Sequence, residues 1–356
     1  MNKSFLIKIY DDTGVTLQKT LTKVKNIPSW NVNLNGVYGD TSIELNESFD
    51  NIPSYATLNN IVLIYEVSDD YPTGKLVYKG YISEIRPSLR GSSEEVSLGI
   101  RGIGDLLKNA YLKNGASYSK TYTTTDISDV FEDIVDHFNT IYTAGFLSYV
   151  SGTTIETTGL SITYTVEEKK HIDALNELHK FCDPAWYWYV DATGVVYLKE
   201  SSAGSDHTFT IQKDVEVIEP IQTVEKIVNR CHVIYTGGNT TVSDATSITN
   251  YGLREQVIND TNITDSTTAG YRATKVVTDN RNPKVTGKLR VNSSYDITTI
   301  NVGDTCKLRN YNVSGSILQT EMLIVSVSYG WDYVDIELGE NRSNIARILD
   351  MFIGNY

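Results

Sequence analysis

The chain has little of what catalytic and metal chemistry usually draws on. Its 356 residues include three cysteines and five histidines. Cys182, Cys231 and Cys306 are far apart and odd in number, and none sits in a CxxC or CxxxH element. Neither a disulfide framework nor a zinc site is indicated, and buried, reduced thiols acting as small hydrophobes are the expectation. Basic charge is also scarce: 31 Lys and Arg stand against 44 Asp and Glu, a net charge of −13. A protein that grips nucleic acid by its phosphates shows the opposite balance, so stable nucleic-acid binding is excluded, whereas a surface that nucleic acid slides past is not. No apolar run approaches the roughly 18–20 residues of a membrane span. The N-terminus, MNKSFLIKIYDD, lacks the apolar block and small-residue cleavage site of a signal peptide and reads instead as a first strand.

Catalytic motifs are missing as well. There is no GxSxG elbow, phosphate-binding loop, GxGxxG or kinase signature. His171 and His179 stand eight apart on one helical pattern, without the spacing of a metalloprotease, and His137, His207 and His232 have no sequence companion. The acidic pairs Glu94-Glu95, Glu132-Asp133 and Glu167-Glu168 read as solvated faces, since glycosidase carboxylates converge from different elements. Trp186-Tyr187-Trp188 would split between the two faces of a strand, which favours core packing over sugar stacking. Asn-x-Ser/Thr triplets such as those at Asn292 and Asn312 are composition without a secretory signal. The sequence therefore offers no catalytic, cofactor-binding or metal-binding residues.

Patterned β-structure is abundant, and the 24 tyrosines suit half-buried pleated surfaces. Met322–Leu338 alternates through Leu323, Val325, Val327 and Tyr329, breaks at Gly330-Trp331-Asp332, and resumes through Val334, Ile336 and Leu338. This predicts a hairpin with one buried face, followed by Ile345, Ile348 and Leu349 at helical spacing. The same order occurs earlier: Leu76–Ile82, a polar turn, Val96, Leu98 and Ile100, then Ile103, Leu106 and Leu107. Two copies of hairpin-then-short-helix predict two related β-domains.

Taken in order, residues 1–108 predict a first β-barrel domain. Strands start at Phe5 and Ile43, the Asp11–Gly14 turn follows the first, and a central strand spans Asn60–Val67. Residues 109–203 predict an α+β insertion. Asp126 caps a helix whose stripe is Ile127, Val130, Phe131, Ile134, Val135 and Phe138. A Thr-rich strand over Thr153–Thr165, a helix through His171–Cys182 ended by Pro184, and an aromatic hairpin over Trp186–Leu198 complete it. Residues 204–347 predict a second β-barrel domain. Its parts are strands at Asn229–Tyr235 and Val285–Val291, an exposed loop or edge hairpin at Thr240–Asn250, a helix over about 265–277, and a turn at Asn301–Asp304. Residues 348–356 form an apolar C-terminal tail.

The succession Asn229–Val233, Ala245–Glu255, Ala269–Val277, Asn301–Asp304 and the closing hairpin through Glu340 resembles the tail-hub, or baseplate-hub, proteins of long-tailed bacteriophages and related injection machines. Leu76–Ile82 is similar to the closing hairpin of a first hub barrel, and Ile127–Leu198 to the α+β insertion between the two barrels. The resemblance covers nearly the whole chain through loose, structural motifs. It implies a non-enzymatic virion protein of the tail tip, made in the host cytoplasm. It further implies a homotrimer in which two barrels per subunit form a pseudo-six-fold ring around the DNA channel. The ring would join the hexameric tail tube or distal tail protein ring to three-fold fibre or spike components, with the tape-measure protein as a further partner. The acidic balance suits a channel that repels DNA. The competing readings are a receptor- or carbohydrate-binding β-protein, on the Tyr, Trp and Thr/Asn-rich loops, and an enzyme, for which no motif speaks.

Overall fold

The computed structural model describes residues 4–26, 28–69, 71–90, 93–142, 145–182, 186–200, 205–218, 221–223, 226–282, 284–309, 312–313, 316–317, 322–330 and 332–339. The chain starts with strands β1 (Ser4–Tyr10), β2 (Leu17–Leu21), β3 (Trp30–Asn33), β4 (Thr41–Leu45) and β5 (Ile61–Val67). The first hairpin follows as β6 (Lys75–Arg90) and β7 (Ser93–Gly102). Next come β8 (Ser119–Asp126), helix α1 (Ile127–Ile141), β9 (Ser161–Glu167), α2 (His171–His179), β10 (Trp186–Val190) and β11 (Val196–Glu200). The remainder holds β12 (Asp206–Thr210), β13 (Val215–Ile218), β14 (Ile221–Thr223), β15 (Arg230–Tyr235), β16 (Gly238–Ser243), α3 (Ala245–Tyr251), β17 (Glu255–Asp260) and α4 (Ser266–Asn280). It ends with β18 (Lys284–Asn292), β19 (Thr305–Arg309), the short pair β20 (Asn312–Val313) and β21 (Ser316–Ile317), and the hairpin β22 (Met322–Tyr329) and β23 (Tyr333–Gly339). The protein is mainly β, as its alternation predicts, with a helical insertion.

The first sheet runs β2-β1-β5-β6-β7-β4. The turn from β1 to β2 forms because the Asp11 carboxylate accepts the Val15 and Thr16 amides while Gly14 takes φ +74°. The sheet curls until its edges meet: the Lys25 amide just past β2 donates to the Glu44 carbonyl on β4 at 2.9 Å. The Asn26 side chain adds bonds to the Ser42 carbonyl and the Glu44 amide. Ile7, Ile9, Ile43, Val62, Ile64, Ile82, Leu98 and Ile100 fill the interior with no exposed surface. Each such burial stabilises by about 1.5–3 kcal/mol.

The second sheet runs β12-β19-β22-β23-β18-β13, with β14 also on β18. Its two end strands, β12 and β13, are consecutive in sequence, so this sheet too must curl round. Asp214 in the turn between them accepts the Thr210 amide through its carboxylate and the Asn292 amide through its carbonyl. The two hairpins correspond in detail: β6–β7 breaks register between Ile82 and Glu84, and β22–β23 between Ile324 and Ser326. After β7 a 3-10 turn, Ile103–Lys108, buries Ile103 and Leu107. Its predicted counterpart, Ile345–Leu349, lies outside the described residues, as do Pro184 and the 348–356 tail.

Three features differ from the sequence reading. First, β3 lies within the 1–108 segment but joins the second sheet, pairing with β22 from Trp30↔Tyr329 to Asn33↔Ser326. Second, the strand predicted over 153–165 begins only at Ser161 and runs on to Glu167, and its partner β8 carries no apolar signal. Third, the span 204–347 holds a separate three-stranded sheet, β16-β15-β17, backed by α4. Within it the predicted edge hairpin at 240–250 stops at Ser243. The Asp244 carboxylate then caps α3 through the Ser247 amide, and this polar helix lacks the apolar stripe that periodicity detects. α1 and α4 follow prediction, capped by Asp126 and Asp265.

Candidate functional site: the junction and the polar clusters

The histidines that lack companions in sequence have them in space. His171, on α2, is fully buried, and its Nδ1 lies 2.8 Å from the Ala110 carbonyl, which can only accept. Nδ1 therefore carries the hydrogen, and Nε2 accepts from His137 Nδ1 on α1 at 2.8 Å. Both rings are held neutral: burial lowers the His171 pKa to about 4 and lowers that of His137 in the same direction. His207 places Nε2 3.0 Å from the Asp304 carboxylate and Nδ1 2.9 Å from the Tyr295 hydroxyl. That carboxylate also accepts the Ser205 and Asn301 amides, so the cluster pins the turn ahead of β19. His179 bonds to the Trp186 carbonyl and His232 to the Thr241 hydroxyl. Every histidine is thus occupied structurally.

Two of the paired acids are absorbed in the same way. Asp133 is held by Lys120 and by the Tyr122 hydroxyl, and Glu95 by Lys25. Tyr187 and Trp188 are buried, which removes them from any sugar-binding surface. All three cysteines are buried, and burial raises the Cys231 thiol to about 11 and the Cys306 thiol to about 12, so these two are inert at neutral pH. Among the described residues no group of three His, Cys, Asp or Glu could hold a metal ion. Among the described residues, no helix is long and apolar enough to cross a membrane.

Several aromatic side chains lie where the units meet. Trp30 on β3 has its ring 5.5 Å from Tyr78 in the first hairpin and 5.9 Å from Tyr329 in the second. The Tyr38 hydroxyl donates to the Lys79 carbonyl and accepts the Ile103 amide at 2.7 Å. Its ring leaves no room for a Cβ on Gly102. Tyr187, from the aromatic hairpin, covers Gly303. A cleft of about 220 Å³ opens between Trp30, Val77, Tyr189, Val302 and Tyr329. Elsewhere Arg272 of α4 pairs with Asp260 on β17 and lies 3.6 Å from Glu177 on α2, fastening the three-stranded unit to the insertion. The geometry of these contacts is one of mutual fixing.

Two curled sheets related by a repeated hairpin, with a helical insertion between them, define the class. The likeness to known proteins lies in structure rather than sequence: no family model and no curated protein matches the chain. Among solved structures, the 43 kDa tail protein of prophage MuSo2 from Shewanella oneidensis matches with TM-score 0.66 and 12% identity, over 95% of this chain and 98% of that one. The tail protein from Neisseria meningitidis MC58 matches with TM-score 0.64 and 8% identity, over 96% and 97%. Prophage tail protein gp18 from Listeria monocytogenes EGD-e matches with TM-score 0.60 and 12% identity, over 98% of each chain. The chain shares the fold of these phage tail proteins over at least 95% of its length.

Proposed function

We propose that this chain is a structural virion protein of a phage tail tip, a tail-hub or baseplate-hub subunit without enzymatic activity. The observation that carries this reading is the match to three phage tail proteins over at least 95% of the chain. The commitment of every histidine to packing bonds supports a scaffold over a catalyst. The units are residues 1–108, 109–203 and 204–347 with a tail at 348–356, joined by the β3 exchange.

In this reading the subunit is a homotrimer, and its two curled sheets, repeated three times, make a pseudo-six-fold ring around the DNA channel. The ring bridges the tail tube or distal tail ring to three-fold fibre or spike components and meets the tape-measure protein. DNA passes without stable binding, in keeping with the net charge of −13. The protein is made in the host cytoplasm and resides in the virion tail. Light scattering of the purified chain, with a low-resolution image of tail particles locating it, tests the reading. Three copies in a ring at the tail tip are expected; a strict monomer absent from any ring sinks it.

A further inference from the structure

The first hairpin is longer than the barrel that contains it. On the outer side of β6, the β5 ladder ends at Ile61↔Tyr81, and on the outer side of β7 the β4 ladder ends at Leu45↔Val96. The β6–β7 pairing nonetheless continues to Arg90↔Ser93. The last residues of β6 and the first of β7 therefore form a two-stranded ribbon to which no further strand is paired among the described residues, an arrangement of marginal stability in isolation.

The ribbon carries the barrel's interior pattern out into solvent. Side chains two apart on a strand share a face, so Ile85, Pro87 and Leu89 lie in one row. Their cross-strand partners are Leu98 and Val96, both in the core, and then Glu94. Leu89 ends this row 71% exposed, and it shares a groove of about 300 Å³ with Phe49, which is 42% exposed. Two large, exposed apolar side chains lining one groove mark an interaction surface rather than scattered exposure. The groove's charged lining is of one sign: Asp50, Glu94 and Glu95, with no lysine or arginine among its walls. Glu95, whose cross-strand partner is Ser88, is already paired with Lys25, so the acidic wall that faces a ligand is Asp50 and Glu94.

We propose that this groove is a docking site for a protein segment that presents a large apolar side chain next to a lysine or arginine. The apolar side chain seats between Phe49 and Leu89, and the cation meets the acidic wall, where partial desolvation strengthens the pairing. This surface stands on its own geometry and does not depend on the oligomeric state.

The test uses the full chain as bait for a displayed library of random peptides, with binding of the selected peptides measured at low and high salt. Sequences pairing Leu, Ile or Phe with Lys or Arg are expected, weakening as salt rises. Leu89→Asp and Glu94→Lys should each cut affinity by about tenfold or more, a change of about 1.4 kcal/mol. Arg86→Glu, on the opposite face of the ribbon, should not weaken binding. Because Leu89 is exposed, its variant folds, and near-UV circular dichroism checks this. Failure to select any peptide, selection of acidic or purely apolar peptides, or equal binding to Leu89→Asp overturns the proposal.

Discussion

His171 shows how a single residue can look inert in sequence and carry a pH dependence in the fold. It lies on the apolar stripe of α2, bonded to Ala110 and His137, and burial lowers its pKa from 6.5 to about 4. Between those values the unfolded chain binds a proton that the folded chain refuses. Stability is therefore complete above about pH 6.5 and falls as the pH drops toward 4, by about 3 kcal/mol at most. The expected outcome is an unfolding midpoint in urea that declines across this window, with a flatter profile for His171→Gln. A midpoint independent of pH there would contradict the neutral pair. The separation of 34 positions between His137 and His171 hides this bond from sequence, since only the packing of α1 on α2 brings the rings together. Trp30 makes the same point through packing. Wedged between Tyr78 and Tyr329, it secures the two hairpins to each other. Trp30→Ala should cost about 3 kcal/mol, read as a lower denaturant midpoint.

At the scale of elements, legibility followed locality. α1 and α4 were readable because a cap and an apolar stripe both lie within one short window, as Asp126 with Ile127–Phe138 shows. Both closing hairpins were readable for the same reason, through alternation on either side of a polar break. β8, with the sequence SKTYTTTD, has no such signal, and its place is set by the ladder it forms with β9. α3 is equally silent, being a short polar helix created by its Asp244 cap. The Asn301–Asp304 turn was legible, but the reason Gly303 must be glycine was not. Its φ is +86°, and a Cβ there would collide with the Tyr187 ring. Gly303→Ala combines left-handed strain with overpacking, so a loss of about 3 kcal/mol is expected. Thermal unfolding measures it, and Tyr187→Ala in the same chain should recover the steric part but not the backbone part.

At the scale of the whole molecule, the exchange of β3 decides whether the two sheets are independent. β19 covers β22 only at Met322 and Leu323, and β3 covers the rest, from Ser326 to Tyr329. Without β3 the second sheet would expose the backbone of its closing hairpin, so residues 30–33 complete a unit whose other strands begin beyond residue 205. Four residues reading WNVN carry no information about a partner some three hundred positions away, which is why sequence divided the chain at 108 without a crossing. The buried side chains also form one cluster that extends through both sheets and the insertion. Shared core and shared strand together predict a single cooperative unfolding transition, unusual for a chain of this length. Val32, 4% exposed and paired with Val327, is the point at which to break that coupling. Val32→Asp places a charge in the seam without touching the interior of the first sheet, whose own edges close through Lys25 and Glu44. Scanning calorimetry should then show two transitions, the lower one from the second sheet, where the parent shows one. A single transition merely shifted down in the variant would mean that the core, rather than β3, holds the two sheets together.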